Sequence, residues 1–390
     1  MPVYLDHAAT TPVLPEVVHV VESTLRMVGN PSSLHAAGRA ARKIVEESRD
    51  TVAAALGARP GEVVFTSGGT EADNLAVKGL YWARRAADPR RVRVLASAVE
   101  HSAVLESVRW LGDVAGAVVE WLPVDQRGRV DMAALRSSLS RGPGSVALVT
   151  VMWANNEVGT LQPIGEIVAA AERYGIPVHC DAVQAVGQLP VDFAANRLTA
   201  MTVSAHKIGG PLGAGALLVR HDVELVPVLH GGGQERDVRS GTVDVAGVAG
   251  FATALAAATL AQPAEAVRLA RLRDALVHAV RAAVPDAVLN GDPSASGRLP
   301  ANAHFSFPGC DGDALLMLLD AVGIECSTGS ACTAGVPQPS HVLSAMGVPP
   351  EFARGSLRFT FGHTSTGRDV TAVADVIGPV VERARAARVA

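Results

Sequence analysis

Lys207 and Cys332 carry the chemistry that is easiest to read from this 390-residue chain. Lys207 closes the short run Met201-Thr202-Val203-Ser204-Ala205-His206 and is followed by Ile208-Gly209-Gly210-Pro211, a glycine turn. The chain has 34 Lys plus Arg, yet only Lys43, Lys78 and Lys207 are lysine, so arginine supplies charge wherever charge alone is needed. An amine that must lose its proton and attack a carbonyl cannot be arginine, whereas a desolvated lysine can be tuned toward neutrality. This favours Schiff-base chemistry, typically with pyridoxal phosphate. The alternative is a general preference for arginine codons, with Lys207 an ordinary surface charge.

Such a cofactor has a phosphate, a pyridine nitrogen and a ring face for the protein to address. Ser67-Gly68-Gly69-Thr70 lies between an apolar strand pattern and a helical one, where free backbone N–H groups and the helix dipole suit a phosphate dianion. Asp181 follows the strand-like Val178-His179-Cys180, and a carboxylate there could keep the pyridine nitrogen protonated; its ordinary reading is a helix N-cap. Gln184 lies three residues on, within reach of the same ligand if a helical turn starts there. His101, after one strand and before a helix, could stack on a ring or move a proton, or be a plain polar loop residue. His206 and Ser204, beside Lys207, could address the phosphate.

Cys332 sits in Ser327-Thr328-Gly329-Ser330-Ala331-Cys332-Thr333-Ala334-Gly335, a run of small and polar residues that reads as a mobile loop. Cys180 and Cys326 lie in apolar segments, where inert buried thiols are expected, and Cys310 is in a Pro-Gly turn with no evident role. An unperturbed thiol of pKa ~8.5 is only ~3% thiolate at pH 7, so a catalytic Cys332 needs a nearby positive charge or base. Arg358 and His101 are the candidates.

The elements that must hold these residues alternate. Strands are expected over 62–66, 93–97, 118–122, 145–151, 177–180 and 215–220, with another leading into Lys207. Helices are expected over 16–27, 36–56, 70–85, 102–111, 131–139 and 164–174. Alternation of this kind implies an α/β fold with a mostly parallel sheet between helices, and functional residues at the strand C-terminal ends. The Ala-rich stretch 245–284 reads as helical with a breaker at Gln262-Pro263. The domain boundary falls within it, giving a large domain over 15–255 and a small one made of 1–14 and 256–390. The last part carries strand-like 303–307 and 356–361 and helices over 311–321 and 369–388.

Composition narrows the classes. A net charge of −4 with no basic run leaves no electrostatic footprint for nucleic acid. Four cysteines without Cys-x-x-Cys pairing suggest a reducing compartment, with neither a disulfide framework nor a zinc site. The N-terminus reads as no signal peptide, and continuous apolar runs stay short of the ~20 residues of a membrane span, so a cytoplasmic protein is expected.

Six motifs, in order along nearly the whole chain, resemble the cysteine desulfurases. They are Tyr4-Leu5-Asp6-His7-Ala8-Ala9-Thr10-Thr11, Phe65-Thr66-Ser67-Gly68-Gly69-Thr70-Glu71, Ala154-Asn155-Asn156-Glu157-Val158-Gly159, Ser204-Ala205-His206-Lys207, Gly231-Gly232-Gly233 through Arg239-Ser240-Gly241-Thr242, and Gly329-Ser330-Ala331-Cys332. The bacterial iron-sulfur-assembly type is the nearest in pattern, and the Ala/Arg-rich composition suggests an actinobacterial version.

The resemblance implies a fold-type-I pyridoxal phosphate enzyme with a mostly parallel seven-stranded sheet and a smaller α/β domain. It implies a homodimer that takes sulfur from L-cysteine and leaves L-alanine. Lys207 would carry the cofactor as a Schiff base. Gly69, Thr70, Ser204 and His206 would hold the phosphate, joined by Thr242 from the partner subunit. Asp181 would pair with the pyridine nitrogen, Gln184 with the ring hydroxyl, and His101 would stack on the ring and move protons. Asn156 matches a cofactor- and substrate-facing position, and Arg358 the substrate carboxylate, which its planar fork suits. Cys332 would take the sulfur as a persulfide and pass it to an iron-sulfur scaffold or a tRNA-thiolation enzyme.

Three features depart from the family pattern: Ala205 stands where glycine is frequent, Gln234 where histidine is, and the sequence stops at Ala390 where some relatives continue with a scaffold-docking tail. A selenocysteine lyase or a fold-type-I transaminase is the alternative enzyme reading. A cofactor-sensing regulator would need a DNA-binding module, and the first motif already begins at Tyr4.

Overall fold

The expected alternation of strands and helices is present in the computed structural model, which describes residues 2–329 and 340–389. The chain begins with β1 (Val3–Tyr4), α1 (Pro15–Leu25) and α2 (Ala36–Ala55), then β2 (Val63–Thr66), α3 (Gly69–Ala87), β3 (Arg93–Ser97), α4 (Ser102–Ala115) and β4 (Val118–Leu122). It continues with α5 (Met132–Ser140), β5 (Val146–Thr150), α6 (Ile164–Glu172), β6 (Val178–Asp181), β7 (Ala200–Ser204) and β8 (Gly215–Val219). The last third holds α7 (Val245–Ala283), β9 (Val288–Leu289), β10 (Asn302–Ser306), α8 (Gly312–Asp320) and β11 (Ile324–Glu325). After these come α9 (His341–Ala345), α10 (Pro350–Ala353), β12 (Ser356–Thr360) and α11 (Gly367–Val389). Pro15 opens α1 where its missing N–H costs nothing. Gly57 follows α2 at φ 64°, the left-handed conformation that closes a helix, with the Ala58 N–H returning to the Ala53 carbonyl.

Seven strands form one sheet in the order β2-β8-β7-β6-β5-β3-β4. Only β8 runs against its neighbours, antiparallel to both β2 and β7. The connection from Ser204 to Gly215 is too short for the crossover that a parallel neighbour requires, so the chain must fold straight back. Strands β5, β7 and β8 are buried at every position, as a sheet covered on both faces demands. Phe65, Val149, Met201, Leu218 and Phe251 belong to the main core on this sheet.

A second sheet, β12-β10-β9, is antiparallel and has its own core, built from Phe305, Phe359, Leu276 and Ile377. Leu5 packs into this second core, and β1 pairs with β11. The expected break at Pro263 is not there: α7 runs unbroken over 39 residues with Pro263 inside it. Its first half buries Phe251 and Leu255 in the main core, and its second half buries Leu269 and Leu276 in the other. A proline inside a helix costs about 3 kcal/mol, and a fully buried Leu or Phe returns about 1.5–3 kcal/mol, so anchoring at both ends outweighs the break. By length and composition α7 could also cross a membrane, but half of its apolar window is buried inside this structure.

Candidate active site

The C-terminal ends of β2, β3, β5, β6 and β7 surround a cavity of about 330 Å³. Gly69, Thr70, His101, Asn156, Asp181, Gln184, Ser204, His206, Lys207 and Arg358 all line it. Except for Arg358, which comes from the second sheet, these positions meet because they lie at or just beyond the C-terminal ends of strands of the main sheet, where crossover loops converge. A larger depression of about 430 Å³ at the other end of β6 contains none of these residues.

One end of the cavity is built for an anion. Helix α3 starts at Gly69 behind Gly68, whose φ of 142° excludes most side chains, and no side chain caps its first turn. The N–H groups and positive dipole end of this 19-residue helix are therefore left to a ligand. A Cβ at Gly69 would come within 3.1 Å of Val183 Cγ2, so the backbone packs closely there. Ser204 Oγ is buried without a hydrogen-bond partner among the described residues. His206 stands beside it, Nδ1 3.3 Å from Thr10 Oγ1, and burial, aided by the Lys207 charge, pushes its pKa down to about 4. A neutral imidazole, an orphaned hydroxyl and a helix N-terminus fit a phosphate group.

Lys207 ends the single tight turn that follows β7. Its Nζ donates to the carbonyl oxygens of Ala8 and Ala9, each at 2.6 Å. The N-terminal segment is tied across the lysine by the Thr11 N–H, which donates to the His206 carbonyl. Gln184 Nε2 donates to the Ala8 carbonyl at 2.9 Å and so belongs to the same clasp.

Asp181 is the last residue of β6, and its Oδ1 accepts the Val183 N–H at 2.9 Å. No helix follows, so the N-cap alternative reduces to a turn. Burial raises its pKa, while His101, the Val183 N–H and Lys207 act the other way. His101 caps α4, Nδ1 accepting the Ala103 N–H at 3.2 Å, and burial lowers its pKa. Asp181, His101 and Asp73 offer polar atoms within 4.8 Å of one another, a grouping that could hold a cation. The cavity has room for far more than an ion, and its opposite end suits an anion. A protonated ring nitrogen carrying a phosphate arm meets both conditions, so the residues present fit pyridoxal phosphate.

Arg358, on β12 of the second sheet, is buried and reaches the cavity. One Nη donates to Asp6 Oδ1 at 2.7 Å and the other to the Asn156 carbonyl at 2.9 Å, while Nε has no partner among the described residues. Each Nη keeps a second N–H, so the fork remains able to grip a carboxylate. Thr242 is exposed and does not line its own chain's cavity. Cys332 lies outside the described residues; Gly329, three positions before it, lines the cavity. Cys180 and Cys326 are buried as expected, with burial pushing Cys326 up to about 12 and Cys180 also upward.

Sequence reasoning missed the clasping carbonyls of Ala8 and Ala9, the Asp6 partner of Arg358, and Asp73 on the cavity floor. Asp73 had a signal: it stands one turn beyond Gly69, amid the buried Ala72, Leu75, Ala76 and Val77 of α3.

Residues 3–373 match the model of the aminotransferase class-V family. An IscS-like cysteine desulfurase of Mycobacterium tuberculosis is 58% identical over 389 residues, covering 99% of this chain and 98% of that protein. A solved structure of a NifS-like protein superposes with a TM-score of 0.89 at 33% identity, covering 98% of this chain and all of the other. A second, described as SspA in complex with cysteine, gives a TM-score of 0.77 at 30% identity over 92% of this chain and 98% of its own.

Proposed function

This chain belongs to the aminotransferase class-V family, and on that premise we propose a cysteine desulfurase in which Lys207 anchors pyridoxal phosphate and Cys332 accepts the sulfur. One observation carries the reading: Lys207, Asp181, His101 and Arg358 line a single cavity although four crossovers and a second sheet separate them. The mycobacterial relative, at 58% identity, accords with an actinobacterial version.

Pyridoxal phosphate, when bound, supplies an electron sink that weakens bonds at the substrate's α-carbon and the bond next to it. The chain does the rest. The α3 N-terminus, Gly69, Thr70, Ser204 and His206 bind the phosphate. Asp181 would keep the ring nitrogen protonated, Gln184 would address the ring hydroxyl, and His101 would serve the ring and move protons. Asn156 and Arg358 seat the amino acid, Arg358 by its carboxylate. The Cys332 thiolate attacks the substrate sulfur: an S–S bond forms, the substrate C–S bond breaks, and its electron pair stays with the carbon that is then protonated to give alanine.

The persulfide passes to an acceptor thiol, such as that of an iron-sulfur scaffold or a tRNA-thiolation enzyme. This traffic requires reduced thiols and fits a cytoplasmic setting. Thr242 serves the cavity of a second copy in a homodimer, a role its exposure in its own chain supports. The two separate cores support a division into 15–255 and 1–14 with 256–390. Borohydride reduction of the yellow holoenzyme followed by peptide mapping tests the anchor. Cofactor mass on the peptide holding Lys207 supports it, and its appearance on Lys43 or Lys78 would overturn it.

A further inference from the structure

The cavity floor holds more acid than one ring nitrogen requires. Asp73 is buried on α3, lines the cavity, and presents an oxygen within 4.8 Å of Asp181 and His101. Behind it a polar stripe crosses three adjacent strands of the sheet. Thr150 Oγ1 on β5 lies 2.9 Å from His179 Nδ1 on β6, and His179 Nε2 lies 3.0 Å from Thr202 Oγ1 on β7. The strand register sets this up, with Thr150 opposite His179 and Thr202 opposite Asp181. Asp73 ends the stripe, where the Thr202 hydroxyl favours its charged form and its Oδ1 lies 3.6 Å from His179 Nε2.

Two carboxyl groups this close in a dry site do not both ionise. Their surroundings decide which one carries the charge. Asp181 receives the Val183 N–H and lies in the field of Lys207 and His101. Asp73 meets a hydroxyl and a buried imidazole whose pKa burial pushes down to about 3, and its Oδ1 has no hydrogen-bond partner among the described residues. Glu100 and Cys180 also face this group, and burial disfavours the charge on each. Burial and the Asp181 charge push the Asp73 carboxyl well above its ordinary range. Burial raises both carboxyls, and these surroundings favour the negative charge on Asp181 and the proton on Asp73.

We propose that Asp73 is a positioning residue for the cofactor: braced by Thr202 and His179, its carboxyl stands beside Asp181 and holds that carboxylate at the ring nitrogen. This rests on the cofactor reading above. An acid that acts in its neutral form has a close mimic in the amide of the same shape, whereas an acid needed as a second anion does not.

The test compares wild-type holoenzyme with D73N, D73A and D181N, reading the visible circular dichroism of bound pyridoxal phosphate and its apparent dissociation constant. D73A is expected to bind cofactor about tenfold more weakly, the scale of one buried polar partner lost, with a smaller visible signal. D73N is expected to restore affinity to within about threefold of wild type and to recover the signal. If D73A fails to fold, D73S, which also lacks the carboxyl, takes its place. Wild-type affinity and signal in D73A or D73S would overturn the proposal, as would a D73N as impaired as D181N. Failure of wild type to bind pyridoxal phosphate would instead overturn the cofactor reading itself.

Discussion

The Nζ of Lys207 donates to the carbonyl oxygen of Ala8 across 2.6 Å, joining residues 199 positions apart. The N-terminal segment therefore belongs to the site. A cofactor bound through this nitrogen must displace that clasp.

Lys207→Arg separates charge from chemistry. Arginine can keep the cation and the carbonyl contacts but cannot form a Schiff base. The variant should fold, show a melting temperature near that of the cofactor-free wild type, hold no borohydride-reducible cofactor and have no measurable turnover. Residual turnover above about a thousandth of wild type would contradict the assignment, since loss of a covalent anchor costs orders of magnitude.

Asp6 orients Arg358 through a 2.7 Å ion pair. Asp6→Asn keeps an acceptor oxygen but removes the charge that holds the fork in place. KM for cysteine should rise about tenfold with kcat within about threefold, because binding is affected more than the chemical step. Arg358→Lys should be worse, since an ammonium lacks the planar fork. A change confined to kcat in Asp6→Asn would argue against this role.

Arg49 and Glu235 tie α2 to the segment before Thr242. The pair is bidentate at 2.7 and 2.8 Å, with side chains only 9% and 1% exposed, and Glu235 also accepts the Phe65 N–H. Arg49→Met strands a buried carboxylate and should cost about 3–5 kcal/mol. Arg49→Met with Glu235→Gln removes both charges and should recover part of that loss in a thermal melt. Equal melting temperatures for the single and double variants would show that charge burial is not the cause.

His304 links pH to stability. It is fully buried, Nδ1 facing Asn290 Nδ2 at 3.0 Å, and burial pushes its pKa down to about 3. Below pH 6.5 the unfolded chain takes up a proton that the folded chain refuses, so this residue's contribution is complete above 6.5 and falls by about 1.4 kcal/mol per unit toward pH 3. Wild type should therefore lose melting temperature more steeply between pH 7 and pH 5 than His304→Gln. Parallel slopes would mean that His304 is protonated in the folded protein.

Much of this was legible in advance, for identifiable reasons. β3 and β4 appear at the expected bounds because apolar runs between turn residues define strands. The residues around Lys207 were found because each follows a strand. Pro263 misled because its local cost is visible in sequence while the two cores that anchor α7 are not. The reversed direction of β8 was missed because an apolar run carries no direction; only the short connection from Ser204 encodes it. The Ala8 and Ala9 carbonyls have no side-chain signature at all.

Sulfur transfer from L-cysteine through Cys332 is tested by alanine formation in the presence of a thiol reductant, by yellow wild-type protein and by Cys332→Ala. Alanine is expected from wild type and none from Cys332→Ala, with the colour retained in both. Equal alanine from both proteins would contradict sulfur transfer through Cys332, and no alanine from either, with cofactor bound, would contradict the desulfurase itself.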